Sequence, residues 1–237
     1  MHNLLISCVN ILFSSDCPAC GGPRGTSISV ICPACEHTIA SGKAPPPACS
    51  EHISLILSCR YYTGVVRNTI KQFKYGRKQR MARAFEDIIR LTSRSDNRFG
   101  ALADLIIPVP IHWRKRHARG FNQAEVIAKT LSGTIAVPVS ANNLIKIKNT
   151  PPQITRTKPE RMRNLTGSFA VRQPSSGKNK TILLVDDVMT TGATLDTCAA
   201  ELLSSGAKEI YAFTLARTPG KSSGSRKLWN ENFGVRP

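Results

Sequence analysis

Two sets of residues in this 237-residue chain have the types and spacing to do chemistry. The first is Asp186 and Asp187, adjacent carboxylates at the end of the apolar run Ile182, Leu183, Leu184, Val185, followed by Thr190, Thr191, Gly192, Ala193 and Thr194. Small residues let backbone amides wrap closely around an anion, and the start of a following helix adds its dipole, so a phosphate is the guest that suits this loop. Two carboxylates beside a phosphate repel it unless they face something else, either sugar hydroxyls or a bridging divalent cation. Ribose 5-phosphate has both features. The second set is Cys17, Cys20, Cys32 and Cys35, two Cys-Pro-Ala-Cys turns separated by eleven residues. Each turn aims two thiolates at one point, and two turns complete a tetrahedral shell for a structural Zn2+ with no open position for water. Two local disulfides or redox pairs are the competing reading. Cys49 and His52 form a C-x2-H pair that either joins a second metal site or consists of ordinary loop residues. Cys8, Cys59 and Cys198 read as core thiols.

For the carboxylates to stand in a crevice, the apolar run before them must be a strand of an open α/β sheet, because ligands there bind beyond the carboxyl ends of the strands. The chain supplies such a pattern. "KTILLVDD" reads as a fully buried strand; Leu195, Cys198, Ala199 and Leu202 mark a helix closed by Gly206, and "EIYAFTLA" is the next strand. Strand, crossover helix and strand at this spacing predict a parallel sheet. Upstream, "DLIIPVP" (104–110) reads as a strand, "NQAEVIAKTLSG" as a helix ended by Gly133, and "IAVPV" as a shorter strand. Before these, "ISLILSCRYY" is strand-like, and Val66, Ile70, Phe73 and then Phe85, Ile88, Ile89 recur at helical spacing, so two helices are expected to precede the sheet. The Pro-rich stretch 41–52 separates a small Cys-rich module, residues 1–48, from a main domain, 49–217, with a Gly/Ser-rich tail at 218–237.

A further stretch, "IIPVPIHWRKRHARGFNQAE", ends a strand and offers Arg114, Lys115, Arg116, His117 and Arg119 before a helix start near Asn122. As a loop it could hold a pyrophosphate, since its cations oppose that charge and Gly120 allows a tight turn. A solvent-exposed basic turn is the alternative.

"ILLVDDVMTTGAT" resembles the ribose-phosphate signature of type I phosphoribosyltransferases. The resemblance implies that Asp186 and Asp187 bind the ribose 2′ and 3′ hydroxyls, and that Thr190, Thr191, Gly192, Ala193 and Thr194 hold the 5′-phosphate of phosphoribosyl pyrophosphate (PRPP) with Mg2+. Arg116 and Arg119 would then serve the pyrophosphate. Purine-salvage members often place a general-base Asp where this chain has Thr190. Together, "IPVP", "RGFNQ", "TRTKPERMRNLTGSF" and "VDDVMTTGAT" look like the ComF family, phosphoribosyltransferase-like proteins linked to DNA uptake, over residues 17–217. That resemblance implies an α/β, parallel-sheet type I phosphoribosyltransferase-like domain with one N-terminal zinc ribbon. It also implies that the cationic stretch 146–169 is a flexible hood over PRPP, with Lys158, Arg161 and Asn164 in its family-like portion. Such a hood would exclude water from an oxocarbenium-like centre.

Charge widens the choice of partner. The net charge of +18 favours polyanions. Residues 1–59 carry only Arg24 and Lys43 against three carboxylates, whereas Arg60, Arg67, Lys71, Lys74, Arg77, Lys78, Arg80 and Arg83 form a basic stripe with no acid between them. Tyr61, Tyr62, Phe73 and Tyr75 are interleaved with these cations, a pattern suited to single-stranded DNA or to a solvated, partly core-forming face. No run approaches the roughly 20 apolar residues of a membrane span, and the N-terminus lacks the basic and long apolar regions of a signal peptide. A soluble, cytoplasmic protein without membrane insertion is expected, with oligomeric state open. Two functions follow: Mg2+-dependent phosphoribosyl transfer to an acceptor, or non-catalytic binding of single-stranded DNA on a transferase fold.

Overall fold

The structure, a computed structural model, describes residues 16–24, 29–72, 78–92, 103–148, 165 and 167–220. In chain order the elements are α1 (Pro33–Ser41), β1 (Leu55–Tyr61), α2 (Gly64–Gln72), α3 (Lys78–Thr92), β2 (Leu105–Pro108), α4 (Trp113–Arg119) and α5 (Gln123–Ile135). These are followed by β3 (Leu144–Lys146), β4 (Phe169–Val171), α6 (Pro174–Gly177), β5 (Thr181–Met189), α7 (Ala193–Ser204) and β6 (Glu209–Arg217).

The apolar run of β5 sets the architecture. Successive side chains on a strand point to opposite faces, and here both faces are buried. Leu183 and Val185 join one core with Phe85, Ile88, Ile127 and Leu131, from α3 and α5. Ile182 and Leu184 join a second core with Leu195, Cys198, Ala199 and Leu202 of α7. A strand buried on both sides belongs in the middle of a parallel sheet with helices on each face, and the sheet has the order β1-β6-β5-β2 with every pairing parallel. Each fully buried Leu or Ile contributes about 1.5–3 kcal/mol, so β5 alone anchors both layers.

The first strand departs from expectation. β1 lies in this sheet beside β6, with Leu55 opposite Tyr211, so the two helices α2 and α3 follow the sheet's first strand and do not precede the sheet. Ser58 and Thr214 exchange a hydrogen bond of 2.7 Å between their hydroxyls across that seam. "IAVPV" is not a strand. Val139 makes only a single parallel bridge to Ile106, because Pro138 has no N–H with which to continue a ladder. Helix α5 runs past Gly133 to Ile135, and Ala136, at φ 55°, takes the left-handed closing position instead. A two-stranded antiparallel ribbon, β3 with β4, lies over the α7 side, where Leu144 and Phe169 enter the second core.

The cysteine-bearing segment is part of the same packing. Cys17, Ile31, Cys32, Cys35 and Ile39 sit in the first core with Phe85 and Ile88. Arg60 fastens it to the sheet. Its guanidinium donates to the carbonyls of Ile39 (2.6 Å) and Ala40 (3.0 Å), which end α1, and to that of Cys59 (2.7 Å). A cation at a helix C-terminus satisfies orphan carbonyls and complements the dipole. Arg60 is only 8% exposed, so it leaves the basic stripe to which its charge assigns it. Arg67, Lys71 and Arg83 are exposed; Lys74, Arg77, Phe73 and Tyr75 lie outside the described residues, as do Cys8 and 221–237.

Candidate phosphosugar site and cysteine centre

β5 carries the pair of carboxylates to the carboxyl edge of the sheet. Asp186 lies opposite Thr214 in the ladder, and the strand continues to Met189, two residues past the expected end. Both carboxylates are half-buried. Asp186 accepts from the amide of Asp187, and Asp187 from that of Val188, each at 2.8 Å. The acids look different ways. Burial and then the charge of Asp186 push the Cys198 thiol up on the α7 side, while burial and then Asp187 push the Tyr62 phenol up. Lys146, at the end of β3, also feels Asp186; burial and then Lys115 push its ammonium down, against the smaller pull of Cys198 and Asp186.

Beyond Met189 the chain turns. Thr190 is exposed and Thr191 half-buried; Gly192 adopts φ 78° as the residue before α7, and Ala193 and Thr194 open the helix. No side chain caps this end. The first amides of a helix have no partner within it, and here the Ala193 amide has a long 3.5 Å contact to the Thr191 hydroxyl. A side chain at Gly192 would strain the backbone and bring a Cβ within 3.2 Å of Met189 Cε. Thr218, just after β6, buttresses the turn: its amide donates to Met189 O at 2.9 Å.

The arginine-rich stretch is the helix α4 and not an open loop. The His112 imidazole accepts from the amide of Arg114 at 3.3 Å and caps its start, and Gly120, at φ 76°, closes its end on Arg116 O. Asn122 then caps α5, accepting from Ala124 N at 3.1 Å while donating to Val109 O at 3.0 Å. Arg116 is paired with Glu125 at 3.0 Å, and Lys129 shares the same carboxylate at 3.2 Å. Arg119 is half-buried at the helix end and, after burial, is the charge that lowers Lys115. Since β2 and β5 are neighbours, α4 and the Thr190–Thr194 turn rise from adjacent strand ends. Lys158, Arg161 and Asn164 lie outside the described residues.

The four cysteine sulfurs of the N-terminal turns lie within 4.8 Å of one another. Gly22 N donates to Cys20 Sγ and Cys32 N to Cys17 Sγ, both at 3.4 Å, and Gly21 turns at φ 75° between them. All four are free thiols, so neither local disulfide is formed. Burial works against a Cys17 thiolate, yet the amides of Cys32, Ala19 and Cys20 outweigh it and bring the thiol down to about 7. Four convergent sulfurs with amide donors match what a four-cysteine zinc centre needs.

His52 does not join Cys49. Its Nδ1 meets Asp196 Oδ2 at 3.1 Å and its amide reaches Asp196 Oδ1 at 3.2 Å, tying the loop before β1 to the first turns of α7. Burial opposes the Asp196 charge, but neighbouring donors, His52 among them, hold the carboxyl below its ordinary range. Sequence reasoning misses the places of Asp196, Lys146, Tyr62 and Thr218 around this site. Only Asp196 carries a signal, an acid inside an otherwise apolar helix face.

Residues 83–234 match the family described as phosphoribosyl transferase domain. The chain is 30% identical over 206 residues to "DNA utilization protein YhgH" of Salmonella typhi, covering 85% of this chain and 84% of that protein. It is 32% identical over 155 residues to "Competence protein F" of Haemophilus influenzae, covering 62% of this chain and 66% of that one. To "Competence protein ComFC" of Bacillus subtilis it is 29% identical over 210 residues, 85% and 78% of the two chains. A solved purine phosphoribosyltransferase from Pyrococcus horikoshii overlaps 63% of this chain and 92% of its own at 19% identity and TM-score 0.32, too loose a fit to carry an argument. With a parallel four-stranded sheet, a phosphoribosyl transferase domain and competence and DNA-utilization relatives, the chain belongs to the ComF family.

Proposed function

We propose that the protein binds PRPP with Mg2+ at the carboxyl end of β5, and that phosphoribosyl transfer with release of pyrophosphate is its activity. One observation carries this reading: two half-buried acids stand directly before a turn whose glycine opens an uncapped helix. The 5′-phosphate takes the amides of residues 191–194, where backbone donors and dipole act together. Asp186 and Asp187 take the ribose diol, with Mg2+ offsetting the charge between acids and phosphates. Arg116 and Arg119 of α4 stand on the adjacent strand end, where the pyrophosphate would lie, and Lys158, Arg161 and Asn164 belong to the segment that would close over it. The work is positioning and charge stabilisation. A Zn2+ held by Cys17, Cys20, Cys32 and Cys35 braces the fold, and the cytoplasm supplies both PRPP and Mg2+.

The test is thermal unfolding with PRPP and Mg2+. The wild type gains melting temperature, and Asp186→Asn with Asp187→Asn gains none; an equal gain in the double variant removes the assignment. Pyrophosphate released on incubation with candidate bases then distinguishes turnover from binding alone.

A second reading, binding of single-stranded DNA, is favoured by the competence names of the relatives and by the concentration of positive charge downstream of residue 59. It gives a steep fall of DNA affinity with salt.

A further inference from the structure

We propose that Trp113 is a stacking platform for an unpaired base and that α4 around it is a docking surface for single-stranded DNA. This rests on the second reading above and adds the place and mode of contact.

Among the described residues only two large apolar side chains are left exposed, and Trp113, at 66%, is the more exposed of them. Its position is unusual for a further reason. None of the seven residues of α4 is buried, so this helix contributes no side chain to the core. Its shape is held by its ends, the His112 cap and the Gly120 closure. The fold therefore spends a capped helix on presenting side chains outward, and the first of them is an indole.

The indole is framed for a ligand with flat faces and negative charge. The buried His112 ring stands 5.6 Å from it at 36°, and the Arg114 guanidinium lies over one face of the ring, 5.3 Å from its centroid, so a base would stack on the other face. Arg114, Lys115, Arg116, His117 and Arg119 follow within the same helix with no carboxylate among them. Arg116 is engaged by Glu125. The cations here also lower one another. Burial pushes the His112 imidazole down and Arg114, Lys146 and Lys115 push it further, while Lys115 is lowered by burial and by Arg119. A phosphate backbone relieves that repulsion and releases its own counterions. Stacking on an aromatic face supplies the other half of single-strand recognition, and it is open to any base. In a duplex the base faces are covered, so the indole has nothing to stack on.

The experiment uses the full chain carrying Trp229→Phe, which makes Trp113 the sole tryptophan. Oligothymidylate of about 20 nucleotides, longer than a typical site of about 4–16, is titrated at low salt. Trp113 fluorescence should be quenched. Trp113→Ala, read by polarisation of a labelled oligonucleotide, should weaken binding by about tenfold, Trp113→Phe should recover part of it, and an abasic oligonucleotide of equal length should bind wild type and Trp113→Ala alike. Oligothymidylate binding unchanged in Trp113→Ala overturns the platform and leaves the DNA reading standing. Wild type that binds no oligothymidylate overturns both. A duplex bound as tightly, or oligouridylate bound more tightly, overturns single-stranded DNA as the occupant.

Discussion

Two adjacent strand ends of one sheet are finished in opposite ways. After β5 the chain turns through Gly192 at φ 78° and starts a helix; after β2 a short helix ends in Gly120 at φ 76°. The same left-handed conformation opens a helix in one place and closes one in the other. At β5 the helix start has backbone amides that no side chain caps, fixed in direction and carrying no full charge. At β2 the closed helix presents cationic side chains and an indole. The first region suits one phosphate of defined geometry, the second a flexible polyanion. The lesson is that a net charge of +18 does not by itself point to a small-ligand site, and the site proposed above rests on acids and an uncapped helix start instead.

Four substitutions test that contrast, from the largest effect downward. Leu184→Ala removes a side chain buried in the core shared by both regions and should cost about 2–5 kcal/mol in denaturant unfolding. Both binding activities should survive below its lowered melting temperature; loss of only one would mean that the regions do not share a scaffold. Gly192→Val forces a β-branched residue into the left-handed region, which costs about 1–3 kcal/mol, and pushes its Cβ toward Met189. Its thermal response to PRPP and Mg2+ should vanish while oligothymidylate binding stays within about twofold, and parallel loss of both would erase the distinction.

Asp196→Asn should cost about 1 kcal/mol by weakening the link to His52. Its effect depends on pH in a defined direction. The folded carboxyl is depressed below 3.8, so the stability it adds is present above that pH and is lost as pH falls through the folded value. The acid limb of the wild-type stability profile should be shallower in the variant; superimposable limbs would deny the pairing its electrostatic role. Arg116→Ala removes a half-exposed ion pair and should cost only about 0.2–1 kcal/mol, with a small loss of PRPP affinity. A loss as large as that of Gly192→Val would move the 5′-phosphate to α4.

Much of the β5 region was legible in the sequence because its signals are local. A continuous apolar run, two acids and a glycine within a few residues each have one economical explanation, and Asn122 as a helix start is of the same kind. The rest depended on contacts between distant residues. β1 pairs with β6 across more than half the chain, which no short-range pattern encodes. Arg60 read as surface charge because its partners, the carbonyls ending α1, are backbone groups that any sequence has. The helical state of residues 113–119 was missed because a helix with no buried face shows no apolar period. "IAVPV" misled in the opposite sense, its β-branched residues outweighing one proline that limits the pairing to a bridge.

The most direct test of the central claim is a crystal structure of the protein with PRPP and Mg2+. The account predicts the 5′-phosphate on the amides of residues 191–194 and the ribose hydroxyls on Asp186 and Asp187. A 5′-phosphate bound instead by the side chains of α4, with the two acids touching no sugar oxygen, would contradict it.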